Sequence, residues 1–134
     1  MGKSILVFSL LLWTVSVQSQ DILTTTISWN STNTLDVTSN NSVSEATTFS
    51  NNQSINFNWK NSDGTIRKTY QIIEAIGKWS NVSNDGRMQY EVTDGRLSGT
   101  ISIVKQGVNT KIKIAMEASP PETVELTITS IQIN

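Results

Sequence analysis

Beyond residue 20, apolar side chains recur at every second position along much of the chain. Leu23, Thr25, Ile27 and Trp29 form one face of a first strand. Ile55, Phe57 and Trp59 alternate with Asn56 and Asn58, and Met88, Tyr90 and Val92 with Gln89 and Glu91. Leu97, Gly99, Ile101 and Ile103 follow the same rule, as do Ile112, Ile114 and Met116, and then Val124, Leu126 and Ile128. A period of two with one polar face predicts half-buried antiparallel strands. Asp63-Gly64, Asp85-Gly86 and Asp94-Gly95 sit between these runs. Asp-Gly suits type I′ hairpin turns, in which both central residues take positive φ. Gln106-Gly107 and Pro120-Pro121 mark two further breaks. The last run slips phase between Ile128 and Ile131, and a bulge near Thr129-Ser130 would restore it.

Two stretches lack a clean period. Asn30 to Asn52 is rich in Ser, Thr and Asn, and its sparse Leu35, Val37, Val43 and Phe49 fit two short edge strands or a long loop. From Tyr70 to Trp79, Ile72, Ile73, Ile76 and Trp79 have helical spacing, whereas Thr65 to Ile72 fits a strand paired back across Asp63-Gly64. The preferred reading is a strand that runs into a short irregular turn. The expected fold is all-β, one antiparallel domain of about seven to nine strands joined by tight hairpins. A β-sandwich and a small up-and-down barrel both satisfy it. The loose first half favours the sandwich.

The first residues have a different pattern. In Met1 to Gln20, Lys3 precedes an apolar run from Ile5 to Val15, and Val17 and Ser19 occupy small-residue positions. This is the layout of a cleaved secretory signal peptide, residues 1–19, with the β domain covering residues 20–134. The run falls short of the about twenty apolar residues that span a bilayer, and no later stretch of the chain is apolar enough to do so. A soluble, exported product is expected, secreted or periplasmic.

Composition removes most chemistry. The chain of 134 residues has no cysteine and no histidine. Disulfides, thiolate metal sites, cysteine nucleophiles and histidine bases are excluded, and no cofactor is expected. Without Lys3, nine basic side chains face eleven acidic ones, a balance that argues against nucleic acid as a partner. Asn81, Ser83, Asp85 and Gly86 imitate the start of a calcium loop, but the position that needs a bidentate glutamate is Val92. No metal site is expected. Paired carboxylates are the one remaining route to catalysis. Only Glu74, among Ile72, Ile73 and Ile76, stands out, and one such residue makes no mechanism.

The tryptophans are the better lead. Trp29 and Trp59 share a face with Ile27 and Phe57 and read as core. Trp79 precedes the polar stretch Ser80 to Asn84. There it either folds over an open end of the core or, with Asn81 and Asn84, forms a ligand-binding set that stacks on a sugar. Lys111 and Lys113 share the solvent face of one run, with Lys105 across the preceding turn. They are either an anion-attracting stripe or, preferably, a guard against edge-to-edge strand pairing. Asn30, Asn40, Asn52 and Asn81 lie in Asn-x-Ser/Thr sequons. The functional expectation is an exported, non-enzymatic binding module that contacts carbohydrate or another protein at the cell surface. A carrier of a small apolar ligand in a barrel cavity is the alternative, and a carboxylate-based hydrolase is third. Amino-terminal sequencing of the exported protein is expected to start at Gln20-Asp21-Ile22. A start at Met1 would remove the leader reading.

Overall fold

The computed structural model describes residues 21–134, so residues 1–19, expected to be a signal peptide, and Gln20 lie outside the described residues. Eight strands follow one another: β1 Thr26–Asp36, β2 Asn41–Asn52, β3 Asn56–Asn61, β4 Ile66–Ile76, β5 Gly86–Thr93, β6 Ser98–Gln106, β7 Asn109–Met116 and β8 Glu122–Ile133. Each pairs antiparallel with the next, and β8 pairs with β1, so the sheet closes on itself. The architecture is the up-and-down barrel rather than the sandwich favoured by the loose first half. That half is not loose. β1 and β2 are long paired strands running from Thr26↔Asn52 to Asp36↔Asn41.

Bulges explain why the pattern hid them. Ser31 faces Ile128 on β8 and Asn33 faces Thr127, so Thr32 is the extra residue and the inward phase moves from Ser31 to Thr34. The inward residues here are Ser31, Thr34 and, on β2, Thr47, all buried. They are polar, so no apolar period appears in the sequence. On β4, Ile72 faces Val92 and Glu74 faces Glu91, leaving Ile73 unpaired. Across that bulge the inward side chains are Ile72 and Ala75, three apart, while Ile73 and Ile76 point outward and are exposed, so the isoleucine spacing looks helical without marking one face. The slip expected in β8 is present: Asn30 pairs with Ser130 and Ser31 with Ile128, so Thr129 is the extra residue.

The type I′ reading of the Asp-Gly turns does not hold. At Asp63-Gly64 and Asp94-Gly95 only the glycine takes positive φ, 86° and 93°. Each aspartate instead accepts hydrogen bonds from amides ahead of it: Asp63 Oδ1 from Thr65 N at 2.9 Å, and Asp94 Oδ1 from Arg96 N at 2.9 Å and Leu97 N at 2.8 Å.

Inward positions fill the barrel. Trp29, Phe49, Phe57 and Tyr90 are fully buried among Ile27, Ile101, Ile103, Ile112 and Leu126. Phe57 stacks on Phe49 with ring centres 4.9 Å apart and meets the edge of Tyr90, also at 4.9 Å. Such pairs add about 0.5–1.5 kcal/mol beyond the burial itself. Outward positions such as Ser28, Asn30, Thr48, Ser50, Asn58 and Thr69 are polar and bond along the wall. Asn30 Nδ2 donates to Ser130 Oγ at 2.9 Å, and Thr48 Oγ1 to Asn30 Oδ1 at 2.9 Å. This is the reverse of the apolar outer band of a lipid-facing barrel. No helix of the described residues is long and apolar enough to cross a membrane.

The two ends differ. At the base, where the β4–β5 loop crosses, Ile22, Trp79 and Val82 are buried against the core. The Trp79 ring centre lies 5.9 Å from that of Trp29, whose Nε1–H donates to buried Asn51 Oδ1 at 2.8 Å. Asp85-Gly86 is no hairpin turn: Gly86 opens β5, and a Cβ there would overlap the Trp79 indole. Gly86→Ala is therefore expected to destabilise the barrel by about 1–3 kcal/mol through overpacking. The urea midpoint should fall at an unchanged slope. A midpoint equal to wild type would mean that the indole does not need that space.

Candidate binding site at the barrel mouth

Trp79 lies at the base with its ring turned inward and only 4% exposed. Its Nε1–H donates to the Asn84 carbonyl at 3.1 Å, and its own carbonyl accepts from Ile22 N at 3.2 Å. Asn81 Oδ1 accepts from Ser83 N at 3.0 Å, and the Asn81 carbonyl from Asn84 N at 3.0 Å. Trp79, Asn81 and Asn84 are thus together, as the sequence reading grouped them. The indole face, however, covers the end of the core, and the two asparagines shape the loop that holds it there. Among the described residues no three acidic side chains come close enough to hold a metal ion. Glu74 is exposed on the outer wall opposite exposed Glu91.

The other end, the mouth, is built from the turns β1–β2, β3–β4, β5–β6 and β7–β8. β3 stops at Asn61, whereas β2 begins at Asn41, so Glu45 lies beyond the point where β3 supports β2. Across that gap stands Arg67. Trp59 pairs with Lys68 and Lys60 with Ile66, so Arg67 is the extra residue of a bulge. A bulge re-aims its side chain. The Arg67 guanidinium forms a fork on Glu45, Nη1 to Oε1 at 2.8 Å and Nη2 to Oε2 at 2.9 Å. Its Nε donates to Asn61 Oδ1 at 2.8 Å, and its central carbon sits 4.6 Å from the Trp59 ring centre. The fork holds the Glu45 carboxyl below its ordinary range and raises Arg67.

A second ion pair lies beside it. Lys68 Nζ meets Asp94 Oδ2 at 2.9 Å, and the Asp94 side chain is only 6% exposed. Asp94 is held well below the usual carboxylate range, first by the Leu97 amide, then by Lys68 and the Arg96 amide. Underneath, burial pushes the Tyr70 hydroxyl up to about 12, with Asp94 and Glu122 adding to the effect. Neither ion pair is local, unlike the bonds from the Arg96 and Leu97 amides to Asp94. Arg67 and Glu45 are 22 positions apart, so no spacing rule could pair them.

The remaining side of the mouth is open. A cleft of about 640 Å³ runs between the β1–β2 turn, the β5–β6 turn and the β7–β8 loop. Its walls are tied by Val37 N to the Thr123 carbonyl at 2.9 Å and by Thr38 Oγ1 to the Pro121 carbonyl at 3.0 Å. Leu97 and Val124, half-buried against the core, give it an apolar side. Asp36, Thr38, Ser39, Arg96 and Glu122 give it a polar rim of both charge signs.

No family model, curated protein or solved structure matches this chain. Its function is therefore read from its own residues. The cleft has the size and mixed lining of a small-ligand site at a barrel mouth. Asp36 Oδ1 accepts from Thr38 N at 3.0 Å and Ser39 N at 3.3 Å, which fixes the turn that carries the hydroxyls. The sequence marks Asp94-Gly95 only as a turn and assigns no site to Arg96, Asp36, Thr38 or Ser39, because closure alone brings these three turns together.

A carboxyl whose folded pKa is depressed stabilises the fold above its unfolded value of about 3.9. That stability is lost as pH falls through the folded value. Asp94→Asn is expected to cost about 1–2 kcal/mol at pH 7 and to flatten the loss of stability below about pH 4. Thermal melts of both proteins from pH 7 to pH 2 check this. Parallel stability curves would show that Asp94 is not the group being titrated.

Proposed function

We propose that the chain is an exported, non-enzymatic binding module whose mouth cleft takes a polar ligand, a carbohydrate first and a protein segment second. The observation that carries this reading is the asymmetry of the barrel. One end is plugged by Trp79 and Ile22, and the other bears a cleft of about 640 Å³ with hydroxyls and both charge signs on its rim. A rim of mixed sign suits a neutral polyhydroxylated ligand, to which amides, hydroxyls and charged groups all bond. Met1 to Ser19 supports export. Glu45 and Asp94 are paired and held in the charged form, whereas a general acid needs a pKa raised towards neutrality. That favours binding over hydrolysis.

One observation favours the carrier. The Trp59 indole N–H and the hydroxyls of Thr47 and Tyr90 are buried with no hydrogen-bond partner among the described residues. Each would give a small buried ligand a hydrogen-bond partner. The packed rings of Phe49, Phe57 and Tyr90 leave it little room.

An array of neutral glycans tests the mouth. Ser39→Trp fills the cleft from an exposed turn and should weaken binding at least about tenfold with an unchanged melting temperature. Equal binding by this variant would move the site elsewhere. A tightly held small mass in native mass spectrometry of the secreted protein would favour the carrier.

A further inference from the structure

The lysines of β7 were best explained in the sequence as guards of a sheet edge. The barrel has no edge there. β7 is fully paired with β6 on one side and β8 on the other, so this purpose is gone and the charges need another account. Their neighbours supply one. Arg87 faces Val104 across β5–β6, and Val104 faces Lys111 across β6–β7. In the next outward row, Gln89 faces Ser102 and Ser102 faces Lys113. Lys78, just after β4, joins them. It lines, with Arg87, Gln89 and Ser102, an outer groove of about 480 Å³. A second depression of about 340 Å³, lined by Lys111 and Asn109, shares Val104 with the first. Adjoining at Val104, the two make up a trough across the outer wall from β4 to β7, which Lys113, opposite Ser102, flanks without lining.

Three of these cations are uncommitted. The side chains of Lys78, Arg87 and Lys113 make no hydrogen bond or ion pair among the described residues, and Lys111 alone is paired, to Glu125 at 3.0 Å. The nearby Asp85 carboxylate accepts from the Gly107 amide at 2.8 Å, which holds it at the β6–β7 turn and leaves its charge at the border of the patch. Glu91 and Glu74 lie beyond Gln89, towards the mouth, and bound the patch on that side. The chain as a whole carries a net negative charge, so the patch is not the by-product of a basic protein.

We propose that this wall binds an acidic oligosaccharide, a chain of sugars bearing carboxylate or sulfate groups. Adjacent strands lie about 4.8 Å apart, which puts Arg87 and Lys111 roughly 10 Å apart across β6. That span matches acid groups repeated along an extended sugar chain. The amides of Gln89 and Asn109 and the hydroxyl of Ser102 match ring hydroxyls between the acid groups. Val104 and Ile76, 39% and 43% exposed, offer apolar contact to the C–H faces of the rings. An anionic membrane would draw on the same charges. The trough, however, is concave, and no aromatic side chain lines it to anchor in lipid. The proposal deepens the binding-module reading by naming a ligand class, at a wall separate from the mouth.

The test uses the mature chain with four probes: polygalacturonate, dextran sulfate, uncharged dextran, and vesicles of phosphatidylcholine with phosphatidylserine. Binding is expected to one or both acidic polysaccharides and not to dextran, and to weaken as salt rises. The polygalacturonate and sulfate arms separate the two acid groups. The double variant Arg87→Gln/Lys113→Gln changes only exposed outward side chains. It should weaken binding about tenfold and reduce the salt dependence, with its melting temperature unchanged. Ser39→Trp should leave this binding intact even where it abolishes binding at the mouth. No binding to either polyanion, equal binding by the double variant, loss through Ser39→Trp, or binding to vesicles alone would each overturn the proposal.

Discussion

Everything in this molecule depends on the pairing of β8 with β1. Without cysteine, no disulfide compensates for an incomplete core. An open eight-stranded sheet would leave two ladders unpaired and its apolar face half covered. Closing it removes both problems at once. The closure is not simply two regular strands meeting. β8 spends one extra residue, Thr129, and β1 spends Thr32. The two bulges let strands of unequal phase meet while Ile27, Trp29, Leu126 and Ile128 all remain buried. A strict alternation through either strand would turn half of those side chains out to solvent.

The same closure makes two unlike ends. The base is sealed by matching shapes. A large indole turns in, and Gly86 gives it room. The mouth is roofed by charge. Its inward residues are Ser31, Thr34 and Thr47, and above them lie the Glu45–Arg67 and Asp94–Lys68 pairs. Where both side chains are partly exposed, as in Glu45–Arg67, the ion pair itself contributes little, about 0–1 kcal/mol. Arg67 also stacks on Trp59 and completes a fork, so it covers apolar surface as well as pairing charge. A sealed base and a polar mouth give the barrel one end at which a ligand can meet side chains without disturbing the core.

What the sequence made legible follows the same physics. From Arg87 to Ile128 the strands alternate without interruption on their inward side, and the pattern found β5, β6, β7 and most of β8. It failed where an inward residue is polar, in β1 and β2, and where a bulge shifts the phase, at Thr32 and Ile73. The first failure made Asn30 to Asn52 look loose and so favoured a sandwich, and the bulge at Ile73 read as an irregular turn after a strand. The glycine-bearing turns were located correctly at residues 63–64 and 94–95, but their type was missed. Aspartate there acts through its side chain rather than through a left-handed backbone. The grouping of Trp79 with Asn81 and Asn84 was legible because it is local. The mouth was not legible, since its turns meet only after closure.

The two surfaces proposed to bind are electrostatically distinct, and that bears on how one small domain holds both. The mouth rim mixes Asp36 and Glu122 with Arg96, so its field falls off quickly. The wall from β4 to β7 gathers Lys78, Arg87, Lys111 and Lys113, with Glu125 paired to Lys111 and with Asp85, Glu74 and Glu91 at its borders. A field of one sign reaches about a Debye length, roughly 8 Å in physiological salt. It draws in a charged chain before contact, whereas the mouth selects by hydrogen bonds only on contact. Closure is what makes the wall available. A paired strand needs no lysine to protect it, so a lysine on its outer face is free to serve a ligand.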